Sequence, residues 1–226
     1  MKEHIKLKAT NEALFRNVKA VLWDWNGTLL DDMEISIQAM NRMLEKRNYP
    51  LLEPGRYREI FTFPVREYYL KAGVNFDDHD WDEVAMEFID NYRMTVVTAK
   101  VNPEAQAILD YFSNKKIRQF ILSAMEQEFL AETIGRRLDP KVFEEIVGLN
   151  NHYAHTKVEN AQLLVKKLGL PPDEIVMIGD TLHDYEVAEA AGIRCILYSG
   201  GHQSKERLLA SGAMLIDSLS ELKKLF

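Results

Sequence analysis

Asp24, Ser123, Lys157, Asp180 and Asp184 are the side chains of this 226-residue chain whose types and spacing could do chemistry together. Asp24 follows the apolar run 18–23 and opens a glycine-containing turn, Asp24-Trp25-Asn26-Gly27-Thr28-Leu29. A carboxylate pushed out at the end of a buried strand suits a nucleophile. Asp180 stands in the same relation to the run 174–178, and Asp184 lies one helical turn beyond it. Asp24 and Asp180 together offer the oxygen ligands that Mg²⁺ requires, and Asp184 can face the same ion directly or through water. Ser123 ends the run 118–122 and precedes a helical stretch near Glu126. Its hydroxyl, with backbone N–H groups at a helix N-terminus, could hold a phosphoryl oxygen. Lys157, at a helix start, could neutralise charge on a transferring phosphoryl group. Each has a plainer reading: a strand-end cap for Ser123, a solvated lysine, an N-cap for Asp180, an exposed first-turn acid for Asp184. The order of all of them along one chain is far more specific than any member.

The elements that must position these groups are legible as alternating patterns. Short apolar runs at 18–23, 118–122, 145–149, 174–178, 193–198 and 213–216 read as strands buried on both faces. Between them, Val158, Ala161, Leu164, Val165 and Leu168 form one helical stripe, stopped by Gly169 and Pro171-Pro172. A second helix runs over 181–191, and Ser218 with Glu221 is a capping-box pattern opening a C-terminal helix. Strands alternating with helices predict an α/β fold, a doubly wound, Rossmann-like parallel sheet. In such a sheet, ligands bind beyond the carboxyl ends of the strands, where the five side chains fall. Residues 32–105 break the alternation. They are helical by periodicity over 32–47 and 80–99, with shorter helices at 54–61 and 65–72. The division is therefore a core of 1–31 and 106–226, and a helical insert of 32–105 hinged at Leu30-Asp31 and about 101–103. Residues 1–17 are polar, with a short helix around 11–17.

Composition narrows the function classes. The formal net charge of −7 argues against a nucleic-acid-binding surface but leaves room for a small anionic ligand. No stretch approaches the roughly 18 apolar residues of a membrane span. Residues 1–17 lack the apolar core of a secretion signal. The single cysteine, Cys195, lies in an apolar run and reads as a buried thiol. A cytoplasmic, reducing compartment fits these features.

The order Asp24, Ser123, Lys157, Gly179-Asp180 resembles the haloacid dehalogenase-like hydrolase superfamily. Asp24-Trp-Asn-Gly-Thr-Leu matches its first motif except at Asn26, Ser123 its second, Lys157 its third, and Gly179-Asp180-Thr-Leu-His-Asp184 its fourth. The resemblance covers about residues 18–226, and the ending from Gly200-Gly201-His202 is similar to phosphoglycolate-phosphatase-like members. It implies hydrolysis of a small phosphorylated metabolite through an aspartyl-phosphate on Asp24. It implies Mg²⁺ held by Asp24, Asp180 and the backbone carbonyl of Asn26, with Asp184 near the ion. Ser123 and Lys157 would hold phosphoryl oxygens, with Thr28 of the first motif beside them. The insert would be a cap that closes over the site and selects the substrate.

Asn26 is the departure. In phosphatases of this family an aspartate usually stands there, protonating the leaving alkoxide and then activating water. An amide hydrogen-bonds but exchanges no proton at neutral pH, and general acid–base help is worth roughly 10²–10⁴-fold. Metal and phosphate binding should survive the change, because the backbone carbonyl is unaffected. Four readings stay open: a phosphatase in which leaving-group acidity, water or another residue substitutes; a phosphonate-cleaving relative using a cap lysine (Lys46, Lys71 or Lys100); a phospho-ligand-binding protein with little turnover; and an engineered aspartate-to-asparagine change. Dehalogenation proper is disfavoured, because it needs no metal and both Asp180 and Asp184 are present.

Of the remaining residues, His183 lies inside the fourth motif but reads first as a loop histidine. His152, His155 and His202 lie in loops, without the spacing of a zinc site. Arg66 could contact substrate, although a solvated arginine is the simpler reading. Trp25 should pack against core or cap.

Overall fold

Six of the short apolar runs pair into one sheet in the computed structural model, which describes residues 15–149 and 156–226. The helix expected over 11–17 falls mostly outside the described residues, as do His152 and His155. The chain enters through β1 (Ala20–Trp23), then forms a two-residue strand β2 (Leu30–Asp31). Four helices follow: α1 (Met33–Lys46), α2 (Pro54–Ile60), α3 (Val65–Lys71) and α4 (Trp81–Val96). Strand β3 (Lys100–Val101) pairs antiparallel with β2, so a short ribbon stands at both ends of the helical block. The chain then alternates through α5 (Ala105–Asn114), β4 (Arg118–Glu126), α6 (Gln127–Gly135), β5 (Glu145–Leu149), α7 (Lys157–Leu168), β6 (Ile175–Gly179), α8 (Leu182–Ala190), β7 (Arg194–Tyr198), α9 (Lys205–Leu209) and β8 (Met214–Ile216).

The sheet order is β5-β4-β1-β6-β7-β8, every pairing parallel. The chain builds outward from β1 through β4 to β5, then returns to the other side of β1 for β6. The order therefore reverses at β1, and the crevice such a reversal opens lies beyond the carboxyl ends of β1 and its neighbours. The pleat sends Val21 and Trp23 into one apolar cluster with Ile108 and Phe112 of α5. Ala20 and Leu22 enter the other, with Ala161 and Leu164 of α7 and Val187 of α8. Each fully buried Val, Leu, Ile or Phe among them contributes roughly 1.5–3 kcal/mol. The helical block has its own core, including Met40, Met43, Leu44, Tyr57, Tyr68 and Val84.

Three details of the sequence reading are revised, the last of them the plainer alternative for Asp180. Strand β4 does not stop before Ser123 but runs to Glu126, with a shift of register between Leu122 and Glu126. The C-terminal segment Leu219–Lys224 is 3₁₀ rather than α, although the Ser218–Glu221 capping box forms. Asp180 is not a helix N-cap; Thr181 is, and Asp184 is the reciprocal member of its capping box. Among the described residues, no helix is long and apolar enough to cross a membrane.

Candidate active site

The crevice at β1 gathers the side chains singled out by their spacing. Asp24 leaves β1 with its amide still bonded to the Ile178 carbonyl of β6 at 2.8 Å, so β1 and β6 deliver Asp24 and Asp180 side by side. The carboxylates of Asp24, Asp180 and Asp184 offer oxygens that lie within 4.8 Å of one another, all buried. Lys157 stands at the first turn of α7, fixed by the Thr156–Glu159 capping box. Its ammonium donates to Asp24 Oδ1 and, at 2.6 Å, to Asp184 Oδ1. Thr28 Oγ1 lies 3.1 Å from Asp180 Oδ1 and 3.4 Å from Asp24 Oδ2. Asp184 Oδ2 accepts from the Thr181 hydroxyl at 2.7 Å and backbone amide at 3.0 Å. Asp184 is therefore a buried organiser rather than the exposed first-turn acid of the plainer reading.

The charges of this cluster do not balance. Fully ionised, the three buried carboxylates would face one ammonium, an excess of two negative charges. Burial pushes the Asp24 carboxyl well above the usual carboxylate range despite Lys157. Burial also raises Asp180 to about 6, against the opposing pull of His202. Asp184 stays below the usual range because Lys157 and Thr181 outweigh its burial. Lys157 is raised despite its own burial, by Asp184 and Asp24. An oxygen-only donor group lacking two positive charges fits a hard divalent cation. The backbone leaves room for these carboxylates: a Cβ on Gly27, whose φ is +74°, would lie 2.3 Å from Asp180 Oδ2, and one on Gly201 would lie 2.1 Å from it.

Ser123 sits on the same edge, its hydroxyl accepting from the Met125 amide at 3.1 Å. It does not open a helix N-terminus, as the sequence suggested. Helix α6 starts at Gln127, and its first amides, Glu128 and Phe129, already donate to the Glu126 carboxylate. Ser123 offers a hydroxyl at the irregular end of β4, with no free helix dipole behind it.

Asn26 is held by partners that sequence reasoning missed. Its Nδ2 donates at 2.8 Å to both Asp32 Oδ2 and the Tyr92 hydroxyl. Tyr92 in turn donates to Asp32 Oδ2 at 2.6 Å, so the phenol oxygen is free to accept from the amide. The carbonyl Oδ1 is left facing Ser123, whose hydroxyl is 3.5 Å away. Asp32 precedes α1 but caps nothing with its side chain. It also accepts from the Gly27 amide at 2.8 Å and pairs with His202 Nε2 at 3.2 Å. Burial alone would raise Asp32, but His202, Tyr92 and Asn26 hold it below the usual range. Burial would lower His202, yet Asp32 above all lifts it to about 9. His202 thus forms a buried ion pair, with its backbone amide 2.6 Å from Asp180 Oδ2. One signal could have found it: His202 follows β7 as Asp180 follows β6, at the same sheet edge.

Other candidates stand apart. Arg66 lies over the Phe76 ring. His183 stacks on Phe63, centroids 4.7 Å apart, and meets Glu186 at 3.4 Å. Trp25 is fully buried in the core cluster on the Trp23 side of the sheet. Cys195 is buried, and burial raises its thiol. A cavity of about 470 Å³ joins the carboxylate cluster to the helical block. Lys46, Lys71 and Lys100 are absent from its described lining, so no cap lysine is placed for a Schiff base.

A parallel α/β sheet carrying paired carboxylates, a lysine and a serine at its switch point defines a class of α/β hydrolases with a helical insert after the first strand. The sequence pattern of the haloacid dehalogenase-like hydrolases matches residues 21–198, and the chain belongs to that family. Among relatives, N-acetylmuramic acid 6-phosphate phosphatase of Pseudomonas aeruginosa is 26% identical over 191 residues, 78% of this chain and 80% of its own length. Phosphoglycolate phosphatase of Chromobacterium violaceum is 26% identical over 218 residues, 92% of this chain and 96% of its own. In fold, the chain is similar to a haloacid dehalogenase-like family protein of Streptococcus pneumoniae, with a TM-score of 0.79 at 18% identity over 92% of this chain and 97% of the other. It is similar also to CbbY of Rhodobacter sphaeroides in complex with phosphate, with a TM-score of 0.69 at 20% identity over 91% and 96%.

Proposed function

We propose that the chain hydrolyses a small phosphate monoester, with Asp24 as the nucleophile and Mg²⁺ as the cofactor. The observation that carries this reading is the convergence of Asp24, Asp180, Asp184 and Lys157 on one buried point at the mouth of the cavity. Named phosphatases among the relatives support the reaction class. Asp24, Asp180, Asp184 and the Asn26 backbone carbonyl would hold the cation. When bound, it would keep the buried carboxylates ionised and offset the charge of the phosphoryl group.

The chain's own residues supply the rest. A carboxylate oxygen of Asp24 attacks phosphorus, forming an O–P bond while the ester O–P bond breaks and its electron pair leaves on the alcohol oxygen. Lys157, Ser123 and Thr28 hold the phosphoryl oxygens, the lysine as a charge and the hydroxyls as donors. Water then attacks phosphorus, the Asp24–phosphorus bond breaks, and inorganic phosphate leaves. Asn26 cannot protonate the leaving group in the first step; its Oδ1 can accept a hydrogen bond from the attacking water in the second. The block 32–105 acts as a cap that encloses the substrate. Phosphate release from p-nitrophenyl phosphate in the presence of Mg²⁺ tests the reading. If Asp24→Asn matched the parent in that assay, the proposal would fail.

A further inference from the structure

The cavity has two chemically different ends. At the sheet edge it is lined by Asp24, Ser123, Lys157 and Asp180; toward the helical block it is lined by Phe61, Phe63, Tyr69, Phe88, Tyr92 and Phe129. Val65, Met86 and Ile89 also line it, and these aliphatic side chains are exposed, at 37%, 54% and 40%. The helical block contributes a single cation to the described lining, Arg93. Arg93 is already engaged: its guanidinium lies over the Phe129 ring, 4.8 Å from the centroid, and 3.7 Å from the Glu126 carboxylate. In the described lining, the helical block thus offers no unengaged cation to a second anionic group, and most of its lining side chains are aromatic or aliphatic. Six aromatic rings face the space that the leaving group would fill.

The Asn26 amide points the same way. Its N–H₂ is turned into Asp32 and Tyr92, so the face toward Ser123 carries a carbonyl oxygen and no proton. A leaving group here departs without a proton from residue 26. An aliphatic alkoxide does so poorly, since its conjugate acid ionises near the value of water, about 15.7. A phenoxide does so readily, its conjugate acid ionising near about 10.

From these two observations we infer that the substrate is an aryl phosphate monoester, its ring held by the aromatic end of the cavity and its phosphoryl group by the carboxylate end. The inference rests on the phosphatase reading. In the step it describes, the Asp24 O–P bond forms as the aryl O–P bond breaks. The electron pair leaves on the phenolic oxygen, which takes its proton from solvent.

The test compares phenyl phosphate, cyclohexyl phosphate and phosphoglycolate with the full chain and Mg²⁺. Affinity for the non-hydrolysable phenylphosphonate and methylphosphonate is measured alongside. The expected result is a kcat/KM for phenyl phosphate at least about 100-fold above the other two, the size of the missing acid's help. Phenylphosphonate should bind at least about tenfold tighter than methylphosphonate, as burial of a ring requires. Met86→Glu should bring that binding ratio toward one. Equal or better turnover of phosphoglycolate, or equal binding of the two phosphonates, overturns the aryl inference and leaves the phosphatase reading intact. Absence of Mg²⁺-dependent phosphate release from every ester, p-nitrophenyl phosphate included, overturns both.

Discussion

The Nδ2 of Asn26 lies 2.8 Å from Asp32 Oδ2, so the residue standing in the expected acid position is tied to a carboxylate supplied by the start of the helical block. The same carboxylate accepts from Tyr92 and pairs with His202. The surroundings of Asn26 are complementary to an amide: two acceptors wait for its two N–H groups. An aspartate at this point would set one carboxylate against another.

That relationship predicts an outcome for Asn26→Asp that chemistry at residue 26 alone would miss. The new carboxyl, beside Asp32, should have a raised pKa, because two buried like charges oppose joint ionisation. Stability should therefore be lost as pH rises through that value. We expect metal-free Asn26→Asp to melt several degrees below the parent at pH 8, given about 2–4 °C per kcal/mol in a chain of this size, and to approach it at pH 5. Thermal melts by circular dichroism check both.

The charge deficit of the carboxylate cluster predicts stabilisation by Mg²⁺. At a hundredfold excess over Kd, a ligand bound only by the folded state adds about 2.7 kcal/mol. The parent should melt several degrees higher in saturating Mg²⁺ than in chelator. Asp180→Asn should lose most of that rise. An equal rise in both proteins would remove Asp180 from the cation site.

Lys157 is the only ammonium against Asp24 and Asp184 among the described side chains, and all three are buried. Removing one partner of a buried pair costs about 3–5 kcal/mol. Lys157→Met should be strongly destabilised without metal, and Mg²⁺ should return part of the loss. Its phosphate release should fall at least about 10³-fold, since residues acting as a unit in catalysis rarely tolerate single removal. Chelator and Mg²⁺ melts, with a p-nitrophenyl phosphate assay, measure each part.

His202 gives the fold a pH signature. Its folded pKa, about 9, lies above the roughly 6.5 of an unfolded histidine. Its contribution is therefore fully present below about 6.5 and is lost as pH rises through about 9. Asp32, depressed in the fold, contributes above the ordinary carboxylate pKa and loses that contribution in more acidic solution. The stability difference between the parent and His202→Gln should be largest near pH 5–6 and shrink above pH 9. A flat difference over this range would show that the pair contributes nothing through charge.

Gly201 bears on the proposed cation site through space alone, since a Cβ there would stand 2.1 Å from Asp180 Oδ2. Gly201→Ala should shift that carboxylate and weaken Mg²⁺ affinity about tenfold or more, the scale seen when groups that orient metal ligands are altered. Mg²⁺ titration followed by melting temperature reads the change.

Much of this molecule is local in origin and therefore legible along the chain. A strand buried on both faces must be a short apolar run, so β1, β6 and β7 announce themselves. A carboxylate at the end of such a run falls on the sheet edge wherever the strand goes, which is why Asp24 and Asp180 stand out. The helical block shows as a change of period. The strand end at Ser123 was less legible, because a polar residue interrupts the apolar run there and a shift of register carries β4 on to Glu126. Asp32 looked like a helix start, the commonest use of that residue type in that place. Nothing in its neighbours signals that the carboxylate turns back to Asn26.

The amino-acid sequence by itself determined the layering, the order of strands and helices, and which carboxylates reach the sheet edge, because periodicity and strand ends are short-range properties. The tertiary structure alone decided which way the Asn26 amide faces, that His202 is a buried cation rather than a loop histidine, and that the cavity is aromatic opposite the carboxylates. The contacts of Tyr92 and His202 with Asp32 that fix the first two span 60 and 170 residues, and no local pattern records such partners.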